Sequence, residues 1–132
     1  DGTELWVGSN DDGLLTVFDL NNSAIIKQWS GFRFPYRILL TDDQQLAVVP
    51  DYRKSTLDII DVKRKDKLRS LVFENDTGPK GVVFHPDDRT LFLSAYGKNK
   101  VLAIDITTGD VLFELPTGRG PDGIGYSPLV SR

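Results

Sequence analysis

Along this chain the apolar positions gather in runs of four to seven residues, rich in β-branched and aromatic side chains. Clusters of Gly, Pro, Asn and Asp part the runs every eight to twelve residues. Runs this short, bounded by turn formers, predict β-strands throughout. No stretch with a 3.6-residue period competes with them. Three runs end alike, in Leu14-Leu15-Thr16-Val17-Phe18-Asp19, Leu57-Asp58-Ile59-Ile60-Asp61 and Val101-Leu102-Ala103-Ile104-Asp105. Asp19, Asp61 and Asp105 are 42 and 44 residues apart, and Pro35, Pro79 and Pro121 are 44 and 42 apart, so a repeat of about 43 residues follows.

Aligned on those anchors, Leu5-Trp6-Val7 matches Leu46-Ala47-Val48 and Leu91-Phe92-Leu93. Ile25 to Trp29 matches Leu68 to Val72 and Val111 to Leu115. A further strand follows each proline, at Tyr36 to Thr41, Gly81 to His85 and Gly123 to Ser127. The expected units are 4–45, 46–90 and 91–132 of one domain spanning 1–132. A period in the forties with four strands per unit and no helix predicts an all-β fold, a β-propeller of four-stranded antiparallel blades, three to the chain. After each aspartate come residues suited to tight hairpins, Asn21-Asn22, Lys63-Arg64-Lys65 and Thr107-Thr108-Gly109, so the aspartates read as turn builders.

Composition narrows the chemistry. Of 132 residues, 16 are Lys or Arg and 19 are Asp or Glu, scattered with no basic stripe, which speaks against nucleic acid as a partner. Hydrophobic residues make up 39%, which is globular, and no run is long enough to span a membrane as a helix. With no cysteine there is no disulfide framework, thiolate metal site or thiol nucleophile. The chain also lacks methionine and opens on Asp1-Gly2, as expected of a processed chain or an excised segment.

The third unit reads Leu91-Phe92-Leu93-Ser94-Ala95-Tyr96, then Lys100 to Gly109 with Ile104-Asp105-Ile106-Thr107-Thr108 at its centre, then Gly118-Arg119-Gly120-Pro121-Asp122-Gly123. It resembles the YVTN family of β-propeller repeats, which run as an aromatic-rich strand, a strand ending in Val-Ile-Asp-x-x-Thr, and a Gly-Pro-x-Gly turn. The second unit keeps Gly78-Pro79-Lys80-Gly81 and His85-Pro86-Asp87-Asp88, whereas the first departs most, with Phe34-Pro35-Tyr36-Arg37 and Thr41-Asp42-Asp43. The resemblance covers nearly the whole chain. It implies a periplasmic, secreted or cell-surface scaffold, with lactonase-like or quinoprotein-like enzymes as the alternative on the same fold.

Three blades leave an open arc, because propellers close with about four to eight. The strand order starts on a second strand, Leu5-Trp6-Val7, and finishes on an innermost one containing Ile124 and Tyr126. The expected solution is that strand 123–127 completes the first blade of another copy in trans, giving a homodimeric ring of six blades.

The loops at one end of the blades place Arg33, Tyr36, Arg37, Lys80, Arg119 and Asp122 around the channel mouth, with Asn10, Asp51, Tyr52 and Tyr96 nearby. Cations from separate blades would attract a small anionic ligand or a protein partner there, unless the carboxylates of the rim balance them. His85, the single histidine, is expected to cap the following turn, because one imidazole makes a poor metal site. Asn10-Asp11-Asp12-Gly13 and Asp87-Asp88 lack the spaced oxygen ligands of a calcium loop. The glycines around Pro121 lack the following helix that a phosphate loop needs. No nucleophile and base pair emerges, so the expected role is non-catalytic, without cofactor or metal.

Overall fold

The computed structural model describes residues 2–130, so the outermost expected bounds, 1 and 132, lie outside the described residues. The chain is all-β. Strands β1 (Glu4–Ser9), β2 (Leu14–Asp19) and β3 (Ile25–Trp29) form a three-stranded sheet. A four-stranded sheet follows from β4 (Leu39–Leu40), β5 (Leu46–Asp51), β6 (Thr56–Asp61) and β7 (Asp66–Val72), then another from β8 (Pro79–Phe84), β9 (Thr90–Ala95), β10 (Lys100–Asp105) and β11 (Val111–Pro116). Every pairing is antiparallel between chain neighbours.

The repeat extends to the hairpins. Asp19 accepts the Asn21 N–H at 2.8 Å, Asp61 that of Arg64 at 2.7 Å, and Asp105 that of Thr107 at 2.9 Å. These Asx turns leave the backbone to double back through a positive φ at Ser23, Lys65 and Gly109. A β-bulge falls at the same place in each sheet, between Val17 and Phe18, Ile59 and Ile60, and Ala103 and Ile104. Three bulges at one repeat position impose the same twist on all three sheets.

The strand pairing also corrects the alignment. Glu4, Leu46 and Thr90 sit opposite Asp19, Asp61 and Asp105, so Leu5 is equivalent to Ala47 and Leu91, and the expected match to Leu46 is one residue off. In a strand a slip of one residue exchanges the two faces. Corrected, the middle sheet explains both cores. Ala47, Val49 and Ile60 point to the first sheet, joining Leu15 and Phe32, with Trp6, Trp29 and Ile38 packed around them. Val48, Leu57 and Ile59 point to the third sheet, joining Leu91, Leu93 and Ile104, with Phe73 and Phe84 alongside. Burying one such aliphatic side chain is worth ~1.5–3 kcal/mol, so the two cores hold the three sheets face to face.

Two expected strands fall short. Only Leu39–Leu40 of the 36–41 segment pairs as a strand, helped by an isolated bridge from Pro35 to Asp51. Residues 123–127 form no strand, because nothing among the described residues pairs with them. Phe92 and Phe113 lie on the outer face of the third sheet, their centroids 6.3 Å apart. Phe113 is 48% exposed.

Candidate functional site

The residue that follows each repeat proline is polar and different in each unit: Tyr36, Lys80 and Asp122. The fold brings the three together. The Tyr36 hydroxyl donates to the Asp122 carboxylate at 3.0 Å from Oδ2, and Lys80 Nζ lies 3.5 Å from the same oxygen. Around that ammonium stand three rings. Lys80 Nζ is 3.8 Å from the centroid of Tyr96, 5.1 Å from Tyr52 and 5.3 Å from Tyr36. Phe34 continues the array, stacked on Tyr36 and edge-on to Tyr52, while Tyr52 is edge-on to Tyr96.

Local backbone chemistry makes this packing possible. At Gly78 φ is +56°, and a Cβ there would lie 2.8 Å from the Tyr52 ring. At Gly81 a Cβ would lie 2.0 Å from the carbonyl oxygen of Asp122, so only glycine lets the C-terminal segment cross β8 here. Asp51 is 0% exposed. Its carboxylate accepts the backbone N–H groups of Arg33 at 2.7 Å, Phe34 at 3.1 Å and Lys54 at 3.0 Å. That clamp sets the loop presenting Phe34 and Tyr36.

The electrostatics are largely internal. Lys80, 16% exposed at its side chain, spends its charge on three aromatic faces and one carboxylate. Such cation–π contacts are worth ~0.5–2 kcal/mol, more as water is excluded. Burial raises the Tyr36 phenol above its ordinary pKa, reinforced by its hydrogen bond to Asp122 and that carboxylate's charge, against the opposing Lys80 and Arg37. The phenol therefore stays protonated and keeps donating.

Of the residues expected at the channel mouth, Tyr36, Lys80 and Asp122 form this cluster, and Arg37 lies over the outer face of Tyr36 at 5.3 Å. Arg33 and Arg119 are exposed. Arg33 touches the site through its backbone, and Arg119 precedes Gly120, whose N–H donates to Asn99 at 3.0 Å. Sequence reasoning missed Phe34 and the clamping role of Asp51. The available signal was the recurrence of Tyr52 and Tyr96 at a 44-residue spacing opposite the residues after the prolines. At the other end of β8, His85 Nδ1 lies 3.2 Å from the Asp87 carboxylate, within the turn it was expected to cap.

Beside the cluster, Tyr52, Arg53, Asp76 and Tyr96 line a cleft of about 340 Å³. A second, longer cleft follows the open edge of β1. One part, about 290 Å³, is bordered by Gly8, Asn10, Pro35 and Arg37, and the other, about 830 Å³, by Thr3, Leu40, Gln45 and Val62, with Trp6 and Ile38 common to both. Among the described residues no group of three or more His, Cys, Asp or Glu is placed to hold a metal ion. No described helix is long and apolar enough to cross a membrane.

Over 97% of its length the chain superposes on part of a solved chain of hydrazine synthase from Kuenenia stuttgartiensis, with a TM-score of 0.85 and 20% sequence identity. The fold is propeller-like. The chain spans 37% of that solved chain's length. At this identity the likeness carries the fold and not the chemistry. No family model matches the chain, and no curated protein matches it by sequence.

Proposed function

We propose that this chain is a non-catalytic propeller segment of YVTN type, a scaffold and binding module that works as part of a closed ring formed by self-association. The observation that carries the reading is the contrast between the covered and open faces of its sheets. Leu5 is 49% and Val7 37% exposed on the outer face of the first sheet, and Phe113 and Leu115 are exposed on that of the third. Aligned apolar residues on both outer faces are a cost in water and a gain in a ring. Two copies give six sheets, within the range that closes.

The channel mouth is the binding surface of that ring. Its cation is already matched by Asp122, so it suits a partner that reads aromatic faces and the exposed Arg33, Arg37 and Arg119 better than a single small anion. This arrangement favours binding over catalysis, since the ionisable groups at the mouth hold one another in place. A periplasmic or cell-surface setting follows from the YVTN resemblance alone.

Light scattering coupled to size exclusion over a dilution series tests the reading. A mass of twice the 14.7 kDa chain that persists on dilution is the expected result. A compact monomer at every concentration would overturn self-association.

A further inference from the structure

Resting on that reading of a self-associating segment, we infer that residues 123–127 of one copy form the innermost strand of the first sheet of a second copy, antiparallel to β1. The register places Ile124 opposite Val7, Gly125 opposite Trp6 and Tyr126 opposite Leu5.

The two four-stranded sheets supply the rule. Leu40, five residues after Pro35, pairs with Ala47, and Phe84, five after Pro79, pairs with Leu91. Leu5 is the residue of β1 equivalent to Ala47 and Leu91, and Tyr126 is five residues after Pro121. The neighbouring pairs, Leu39 with Val48 and Val83 with Phe92, carry over as Gly125 with Trp6. The sizes compensate, since the smallest inner residue meets the largest partner, as close packing across a strand pair requires.

The donor segment is already laid in place. Val82 and Phe84 of β8 face the sheet before them, and Ile124 and Tyr126 lie against β8 and β9. The Tyr126 ring stacks on Phe92 at 6.5 Å and stands edge-on to His85 at 5.3 Å, and Ile124 reaches Gly81. Asp122 pins the start of the segment through Tyr36 and Lys80. A strand fixed before it pairs loses less conformational freedom on association, which strengthens it as a donor.

The acceptor shows the complementary defect. No strand pairs with the far edge of β1 among the described residues, and the longer cleft runs along that edge. Asn10 Oδ1 borders the cleft, buried and without a hydrogen-bond partner. Among the described residues the other buried side-chain atom in that condition is Ser94 Oγ, on the outer face of the third sheet. The two unpartnered atoms therefore lie on the two surfaces that this seam joins, where strand and sheet polar groups become available to them.

Because the chain has no cysteine, the register can be read directly. A chain carrying Val7→Cys and Ile124→Cys, treated with a short bis-maleimide at a concentration where the mass is dimeric, should give a covalent dimer with both thiols consumed. Val7→Cys with Gly123→Cys or Gly125→Cys should link far less. Gly125→Val, where a Cβ meets nothing within 4 Å in the single chain, should leave its folding intact and raise the dimer dissociation constant roughly tenfold. A dimeric mass with no Val7–Ile124 link, or with a stronger link from a neighbouring position, overturns the strand donation or its register and leaves self-association standing. A monomeric mass overturns both.

Discussion

The first and middle sheets are built from the same repeat with the same hairpins and bulges, yet they end in opposite conditions. In the middle sheet both faces are covered, and β5 and β6 are buried along nearly their whole length. In the first sheet one face packs through Trp6 and Leu15, while Leu5 and Val7 on the other face meet solvent. The difference lies in neighbours and not in strand chemistry. Stability in this fold is therefore concentrated in the middle, and the open apolar faces lie at the ends.

The largest effect expected is at the middle sheet. Leu57→Ala, in the core shared with the third sheet, should cost about 2–5 kcal/mol in urea unfolding, whereas Leu5→Ala on the single chain should stay within about 0.5 kcal/mol. Equal losses at the two positions would break the comparison. Next, Asp51→Ala removes the acceptor of three backbone N–H groups beside the Tyr36–Lys80–Asp122 cluster and should destabilise by about 1–3 kcal/mol. A loss indistinguishable from that of an exposed aspartate would mean that the clamp does not hold the loop.

Tyr36→Phe keeps the ring over Lys80 but removes the hydroxyl donated to Asp122, for roughly 0.5–1.5 kcal/mol. Its signature should be a weakened Tyr126–Phe92 ring contact, read by NOE, with amide exchange in the middle sheet unchanged.

The smallest effect is a dependence on acid. The Arg89 guanidinium, hydrogen-bonded to Asp105 at 2.8 Å, together with the Thr107 hydroxyl, holds the Asp105 carboxyl well below the usual carboxylate range. At Asp87 burial pushes the pKa up, but the N–H groups of Thr90 and Arg89, the Thr90 hydroxyl and His85 outweigh it and bring it down to about 2. Both folded pKa values lie below the unfolded value of about 3.9. Their stabilisation is thus present above pH ~4 and is lost as pH falls toward the folded values. Urea midpoints of wild type and Asp105→Asn should converge between pH 6 and pH 2.5, and a constant gap would exclude this source of acid sensitivity.

Much of the fold was legible in the residues. The aspartate and proline spacings mark the repeat, and Asx turns with short apolar runs determine strand and hairpin because their chemistry is local. The alignment error at Leu46 has an equally local origin, since adjacent apolar residues in Leu46-Ala47-Val48-Val49 look alike until a partner strand assigns their faces. The site was half legible. The residues after the prolines stood out as polar, but their convergence on one ammonium, and the recruitment of Phe34 and Asp51, depend on contacts between sheets.

By itself the sequence determined the repeat, the strand-and-turn grammar and the absence of thiol chemistry, all properties of composition and near neighbours in the chain. Tertiary structure alone decided that Lys80 is enclosed by Tyr36, Tyr52 and Tyr96, that Asp51 is a buried clamp, and that 123–127 lies along the third sheet with no strand partner among the described residues. Burial and pairing depend on which face another segment covers, and that is settled only when distant parts of the chain meet.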